Sequence, residues 1–538
     1  MQDIPLTTNW IFDRGVQYFG TKTVTTKTAT GLETKTYAEV ADETRLVAAA
    51  LDHLGISAGG RVGTFAWNTA RHLGLYFAIP GTGRVMHTCN IRYFPEQLIY
   101  TVDHAEDEAI FVDRSLLPLL GKYLPNLHGV KHVIVMDDGA DAEIPDDPRI
   151  VGYDELLGGV SPIDFSDRVS DERQGAALCY TTGTTGNPKG VLYSHRSTWL
   201  HSNACLTTSV FGLRDSDRIL PVVPMFHANA WGLPYAAFLG GAELVMPGPD
   251  LSPAGLVKLM ESQRVTIAAG VPTIWMGMVP MLKDHDLSHL RTIICGGSAV
   301  PKALSEAWRE AIGLPITQAW GMTELSPLGT VCTLRGEFDD LPEEQRADIR
   351  ATAGIAPAGV EMRIVDSDTR EPLPWNDEAS GELECRGPWI AKQYYKTDAP
   401  GEQFSPDGWL RTGDVASISP LGYLRLVDRT KDLIKSGGEW ISSVDLENTI
   451  MAHPKVAEAA VIAVSHPKWS ERPLACVVVK PGEQLTKEEL LAFLGETLTK
   501  WQLPDDVVFI DEVPKTSVGK FSKKTLRDKF GDYVLPTA

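Results

Sequence analysis

Short apolar runs alternate with amphipathic helical patterns along most of this chain, and that alternation constrains its fold more than any other feature. RVGTFAWN from Arg61, AIFVD from Ala109 and HVIVMD from His132 have the length and composition of strands that parallel sheets bury on both faces. Upstream, Thr36 with Glu39 makes a capping box, and Val40, Val47, Leu51 and Leu54 share one helix face until Gly55 ends it. Parallel strands need crossover helices, so the pattern predicts a layered α/β architecture with ligands bound at the carboxyl ends of strands. A chain of 538 residues can bury several cores without disulfide or metal support.

Composition narrows the function classes. Asp and Glu number 70 against 50 Lys and Arg, a net charge of −20 that repels phosphate backbones, so a nucleic-acid partner is not expected. Any anionic substrate must then meet a local cluster of cations and backbone N–H groups. Cys89, Cys179, Cys205, Cys295, Cys332, Cys385 and Cys476 form no CxxC pair, the pattern of buried thiols in a reducing compartment. The opening MQDIPLTTNWIFDRG lacks the basic and apolar regions of a signal peptide. No apolar run reaches the roughly 20 residues of a membrane span, so a cytoplasmic protein without a transmembrane segment is expected.

The pattern changes near Asp428. Beyond it lie AAVIAV from Ala459, ACVVV from Ala475, a capped helix opening at Thr486 with Glu489, and DVVFID from Asp506, enough for a small α+β domain. The connecting DRTKDLIKSGGEW is charged and glycine-bearing, and it reads either as a hinge or as a surface loop.

The segment YTTGTTGNPKG, residues 180–190, follows the strand-like AALCY and carries the strongest chemical signal. Gly183 and Gly186 let the backbone turn tightly and aim N–H groups at an anion. Four threonine hydroxyls add donors and Lys189 adds a mobile charge, which together suit a polyphosphate. The segment is not a Walker loop, because Asn187 and Pro188 separate Gly186 from Lys189 and Gly190 replaces the hydroxyl residue. The chain also has no convincing GxGxxG dinucleotide fingerprint.

This loop resembles the signature of the adenylate-forming superfamily of acyl-CoA synthetases, luciferases and peptide-synthetase adenylation domains. PMFHANAW at Pro224, GGSAVP at Gly296, QAWGMTELSP at Gln318, DGWLRTGD at Asp407, DRTKDLIKSGGEWIS at Asp428 and PKTSVGK at Pro514 follow in that family's order. KSGGEWISSVDLEN is similar to the sequence in bacterial fatty acyl-CoA ligases and methylmercaptopropionate-type ligases. The resemblance implies a large N-terminal layered α/β domain over 1–428, a hinge at 429–434 with its pivot at Lys431, and a small mobile α+β domain over 435–538. It also implies ATP, Mg²⁺ and CoA as cofactors, a carboxylic acid as substrate, and a homodimer.

The resemblance further assigns roles to residues. Thr181, Thr182, Gly183, Thr184, Thr185 and Lys189 would hold the β- and γ-phosphates, and Glu324 with Thr181 would hold the magnesium. Thr323 would contact the α-phosphate, and Gln318, Ala319, Trp320, Gly321 and Met322 would line the nucleotide site opposite Gly297, Ser298 and Ala299. The family often has tyrosine at position 320, and an indole stacks on a purine at least as well. Asp414 would take both ribose hydroxyls, with Arg429 as a second contact. Lys520 would reach the α-phosphate during adenylation. Lys435 and Trp440 would contact a cofactor, while Gly437, Gly438 and Glu439 would face the pantetheine arm. His227 would sit by the substrate carboxylate, Val271 and Gly297 would line the acid pocket, and Trp231 would gate the acyl tail. On a right-handed helix Trp231 would share a face with His227. The implied activity is an ATP-dependent ligation of a fatty or similarly apolar acid to CoA through acyl-AMP. An acyl-AMP ligase serving another acceptor and a short thioether-acid CoA ligase are the alternatives. A catalytically silent AMP-binding regulator would lack Lys520, Glu324 or a loop threonine, and all are present.

Overall fold

The computed structural model describes residues 1–181, 187–437, 439–515 and 521–538, and only the backbone at 439. Thr182, Gly183, Thr184, Thr185, Gly438 and Lys520 therefore lie outside the described residues, as does the side chain of Glu439.

Among the described residues, two large sheets build the N-terminal part. One runs Ile150–Gly152, His132–Met136, Asp107–Asp113, Arg61–Phe65, Val85–Thr88, Gly175–Tyr180 and Gly190–Ser194 in spatial order. Its neighbours are parallel except for the last pair, where the chain reverses across the glycine-threonine segment. The other runs Leu328–Val331, Ile316–Gly321, Thr292–Cys295, Ile267–Gly270, Arg218–Pro221, Glu243–Met246, Thr23–Lys27 and Leu32–Thr36, parallel inside and antiparallel at both ends. Helices pack between the sheets. Val62 and Ala109 of the first sheet share a core with Ile219 and Leu244 of the second and with Val47, Phe77 and Phe238 from helices Tyr37–His53, Ala70–Gly81 and Leu233–Gly240. The rings of Tyr37 and Phe238 stack at 3.9 Å within that layer.

The local signals hold where they were read. The Thr36 hydroxyl accepts from the Glu39 N–H at 3.2 Å, the Glu39 carboxylate accepts from the Thr36 N–H at 2.7 Å, and Gly55 takes a φ of +68° just past the helix. All seven cysteines are free and buried. No helix among the described residues is long and apolar enough to cross a membrane.

The alternation did not announce a third sheet. Glu361–Val365, Ser380–Arg386, Leu410–Ile418 and Leu424–Arg429 form an antiparallel meander. Beyond it the chain enters the C-terminal sheet, in the order Glu439–Ile441, Ile434–Ser436, Ser470–Val479 and Val456–His466, with Asp506–Phe509 paired to Ser470–Val479. The AAVIAV, ACVVV and DVVFID runs fall on these strands, and Thr486 caps helix Lys487–Leu494. At the junction Asp428 is buried and accepts from the N–H and hydroxyl of Ser443 at 2.7 and 2.5 Å, while Arg527 pairs with Asp432.

One buried ion pair stiffens the first sheet. His87 Nδ1 and Asp107 Oδ2 meet at 2.6 Å, and Asp107 Oδ1 has no hydrogen-bond partner. Burial alone would lower the His87 pKa, but the Asp107 carboxylate and the Cys89 thiol outweigh it and hold it up at about 10. A raised folded-state value means that the His87 contribution is fully present below the unfolded imidazole value and is lost as pH rises through about 10, while burial, which pushes the Asp107 carboxyl up, sets the acid limit of the pair. His87→Leu is expected to cost about 3–5 kcal/mol at neutral pH by leaving Asp107 buried alone. Denaturant unfolding checks this, and the gap from wild type should narrow as pH approaches 10.

Candidate active site

Most of the N-terminal segments singled out by sequence follow the carboxyl end of a strand in one of the two large sheets, where open α/β sheets bind ligands. Thr181 follows Gly175–Tyr180, and Gly297, Ser298 and Ala299 follow Thr292–Cys295. Val271 follows Ile267–Gly270, and Met322, Thr323 and Glu324 follow Ile316–Gly321, whose last residues are Gln318, Ala319, Trp320 and Gly321.

Backbone pairing closes the mouth of the glycine-threonine segment. The Thr181 N–H donates to the Lys189 carbonyl at 2.9 Å, and the Lys189 N–H donates to Thr181 Oγ1 at 3.3 Å. Tyr180, just before the mouth, shares a 2.8 Å hydrogen bond with His104 Nδ1 and lies 5.0 Å from the His87 ring.

Glu324 sits in a single 3₁₀ turn, Thr323–Leu325, and is only 5% exposed. The Tyr394 hydroxyl donates to its Oε1 at 2.7 Å, and the Lys189 ammonium lies 4.7 Å from the centre of the same tyrosine ring. Burial and the neighbouring carboxylate raise the Tyr394 phenol pKa, which keeps it a proton donor. The adjacent Thr323 carbonyl accepts from the Tyr193 hydroxyl at 2.7 Å. A lone buried carboxylate with one oxygen engaged fits a magnesium ion, which binds few protein oxygens and keeps its waters. Sequence reading missed Tyr394, because no motif quoted above contains it.

Antiparallel register builds a second cluster. Asp414 and Arg429 are direct partners across strands Leu410–Ile418 and Leu424–Arg429, and Arg429 Nε meets Asp414 Oδ1 at 2.6 Å. The Trp320 Nε1–H donates to Asp414 Oδ2 at 3.0 Å. Trp320 is buried, and a Cβ at Gly329 would come within 2.4 Å of its ring. The indole thus anchors Asp414, in addition to whatever face it offers a purine. A carboxylate can accept several hydrogen bonds at once, which suits a cis-diol.

The stretch after His227 departs from expectation. Ala228, Asn229, Ala230 and Trp231 all have positive φ, at 43°, 54°, 48° and 57°, and Gly232 follows at 73°. The turn is left-handed, so the right-handed spacing that put His227 and Trp231 on one face does not apply. Each non-glycine residue there is disfavoured by roughly 1–2 kcal/mol. Packing holds the turn: Asn229 Oδ1 accepts from the Cys179 thiol at 3.3 Å, and Ala228 and Ala230 are buried. The edge of the Trp231 indole comes within 3.3 Å of where a Cβ on Gly296 would stand, and that Cβ would also lie 2.5 Å from the Ala319 carbonyl. The Trp231 edge therefore packs against the start of the GGSAVP segment.

The C-terminal candidates group with one another. Lys435 pairs with Trp440 across the hairpin Ile434–Ser436 and Glu439–Ile441, and both are exposed. Gly437 takes a φ of 62°, donates its N–H to the Trp469 carbonyl at 2.8 Å, and leaves no room for a Cβ beneath that indole. Trp440, Trp469 and the nearby Trp501 are all partly exposed, and Arg472 ties this group together through Ser436 Oγ at 3.0 Å and the Trp501 carbonyl at 2.7 Å.

The pairing of Thr181 with Lys189 and the buried carboxylates of Glu324 and Asp414 suit a nucleotide-binding site, and comparison with known proteins supplies the family. The profile described as AMP-binding enzyme matches residues 12–395, and its C-terminal domain counterpart matches residues 445–520. A 3-methylmercaptopropionyl-CoA ligase of Ruegeria lacuscaerulensis is 44% identical over 535 residues, covering 99% of this chain and 98% of that one. A long-chain-fatty-acid–CoA ligase of Thermus thermophilus is 45% identical over 531 residues, covering 97% and 96%. The solved structure of ATP-bound MatB from Rhodopseudomonas palustris superposes with a TM-score of 0.83 at 26% identity, covering 98% of this chain and 99% of that one. The chain belongs to the AMP-binding enzyme family. Within it, the chain is an AMP-forming acid–thiol ligase that uses ATP, Mg²⁺ and CoA.

Gly232→Ala tests the left-handed turn. Its Cβ would stand 2.6 Å from the buried His201 ring at a φ of +73°, so strain and overpacking together should cost about 2–5 kcal/mol. Thermal unfolding should show a lowered Tm.

Proposed function

We propose that the acid this ligase activates carries an apolar aliphatic tail, and that the tail passes Trp231. One observation carries the reading: the edge of the Trp231 indole packs against Gly296, which opens the GGSAVP segment and whose Cβ, were there one, would stand 3.3 Å from that edge and 2.5 Å from the Ala319 carbonyl. The acid's carboxylate would then sit near His227, with Val271 and Gly297 along its pocket. Space behind the turn, bounded by Tyr193, His201, Asn229 and Tyr235, is about 10 Å³, room for roughly one water. In this reading a long tail would displace Trp231, and a short one such as a methylthio-propionate would not. The names of the Ruegeria and Thermus relatives span this range.

In this reading the carboxylate oxygen attacks the α-phosphorus of ATP, giving acyl-AMP and pyrophosphate. The thiol of CoA then attacks the acyl carbon and releases AMP. Magnesium, when bound, neutralises phosphate oxygens, with Glu324 and Thr181 as its protein ligands. Thr181, Thr182, Gly183, Thr184, Thr185 and Lys189 hold the β- and γ-phosphates, Thr323 faces the α-phosphate, and Asp414 and Arg429 hold the ribose. Gln318, Ala319, Trp320, Gly321 and Met322 form one wall of the nucleotide site, and Gly297, Ser298 and Ala299 form the other. Lys520 aims its charge at the reacting oxygens in the first step. Residues 435–538 turn about 429–434 between steps, bringing Lys435, Gly437, Gly438, Glu439 and Trp440 to the thiol.

Pyrophosphate release scored over straight-chain acids of increasing length and 3-methylthiopropionate, with and without CoA, tests the substrate reading. Each added methylene contributes about 0.8 kcal/mol, so kcat/KM should rise several-fold per carbon until the site is full. Trp231→Ala should shift that profile while the KM for ATP stays constant. A uniform loss across all acids would show that the indole only packs. Full turnover without CoA would point to another acceptor. Lys520→Ala should lower acyl-AMP formation by about 10²–10³ while sparing thioester formation from supplied acyl-AMP. Unchanged pyrophosphate release would remove Lys520 from the first step.

A further inference from the structure

The loop between strands Ser380–Arg386 and Leu410–Ile418 carries the pair Tyr394 and Tyr395, and it is stitched to the site at both ends. The Ala391 N–H donates to the Glu324 carbonyl at 2.8 Å, and the Tyr395 N–H donates to the Gly190 carbonyl at 2.7 Å. One short segment thus bridges the turn that carries Glu324 and the strand that follows Lys189. Tyr394 projects from it so that its hydroxyl reaches Glu324 Oε1 at 2.7 Å and its ring lies 4.7 Å from Lys189 Nζ. It also borders a cavity of about 330 Å³ with Tyr100, His104, Lys396 and Gln403.

Glu324 is buried and Lys189 is exposed, and a buried carboxylate still attracts a nearby exposed ammonium more than two charges in open water attract each other. In direct contact they would neutralise each other, and neither would serve a metal–polyphosphate ligand. A tyrosine between them gives the carboxylate a hydrogen bond and gives the ammonium an electron-rich ring face, while adding no charge. We propose that Tyr394 is a positioning residue that keeps Glu324 and Lys189 apart and aimed, and thereby sets the affinity of the site for a divalent cation bound with a nucleotide triphosphate. The proposal rests on the reading of Glu324 as the metal ligand, and the experiment separates the two.

Binding is measured without turnover. Mn²⁺ affinity is read by electron paramagnetic resonance with α,β-methylene-ATP present, and affinity for the same nucleotide is read by calorimetry in chelator. Tyr394→Phe removes only the hydroxyl. It should weaken Mn²⁺ binding about tenfold, the size of a lost hydrogen bond to a charged group, and leave metal-free nucleotide binding unchanged. Tyr394→Leu also removes the ring, so Glu324 and Lys189 close on each other and both affinities fall. Glu324→Gln is the reference and should weaken Mn²⁺ binding at least as much as Tyr394→Phe. If Tyr394→Phe binds Mn²⁺ as tightly as wild type while Glu324→Gln does not, Tyr394 only packs and the proposal is overturned. If Glu324→Gln itself binds Mn²⁺ normally, the metal-ligand reading fails and the proposal goes with it. Should Tyr394→Leu fail to fold, the Phe and Gln variants decide the question without it.

Discussion

A carboxylate that is only 4% exposed needs donors, and Asp414 finds them in two different sheets. Trp320 reaches it from the end of a strand in the eight-stranded sheet, and Arg429 reaches it from the neighbouring strand of the antiparallel meander. The next residues after Arg429 lead into the C-terminal sheet, so one buried charge ties the nucleotide strand to the connection between the two parts. Removing either donor would leave the carboxylate under-satisfied in a low-dielectric setting, the costly case for a buried charge.

The second constraint is the sign of the charge. A chain of net charge −20 has to bind anions, so its few cations at the site must remain available to the ligand. Arg429 is committed to Asp414, and Lys189 is held against a neutral ring. The two cations differ in their partners, a carboxylate for Arg429 and an aromatic face for Lys189, so the Lys189 charge is the less neutralised of the two.

Legibility in the sequence followed the range of the interactions. Capping boxes, apolar runs and the glycine-threonine segment are local, and they placed helix Tyr37–His53, the parallel strands and the mouth at Thr181 and Lys189. Trp320 was read from its neighbours as a stacking residue, but its bond to Asp414 spans 94 residues and leaves no local trace. Tyr394 was missed for the same reason, since its partners Glu324 and Lys189 lie 70 and 205 residues away. The antiparallel meander escaped because GELECR and LRTGDVASI are too polar to resemble the buried runs that marked the parallel strands.

The left-handed turn escaped for a different reason. Alanine and tryptophan carry no preference for positive φ, and the motif that contains them suggested an ordinary helix. Tertiary contacts override that preference. The edge of the Trp231 indole packs against Gly296, where a Cβ would stand 3.3 Å from it and 2.5 Å from the Ala319 carbonyl, and the left-handed turn from His227 brings it there. A side chain at position 296 would clash first with the Ala319 carbonyl and crowd the indole edge only slightly. The glycine and the strained turn are two halves of one fit, and the strain persists because the surrounding packing over-determines it.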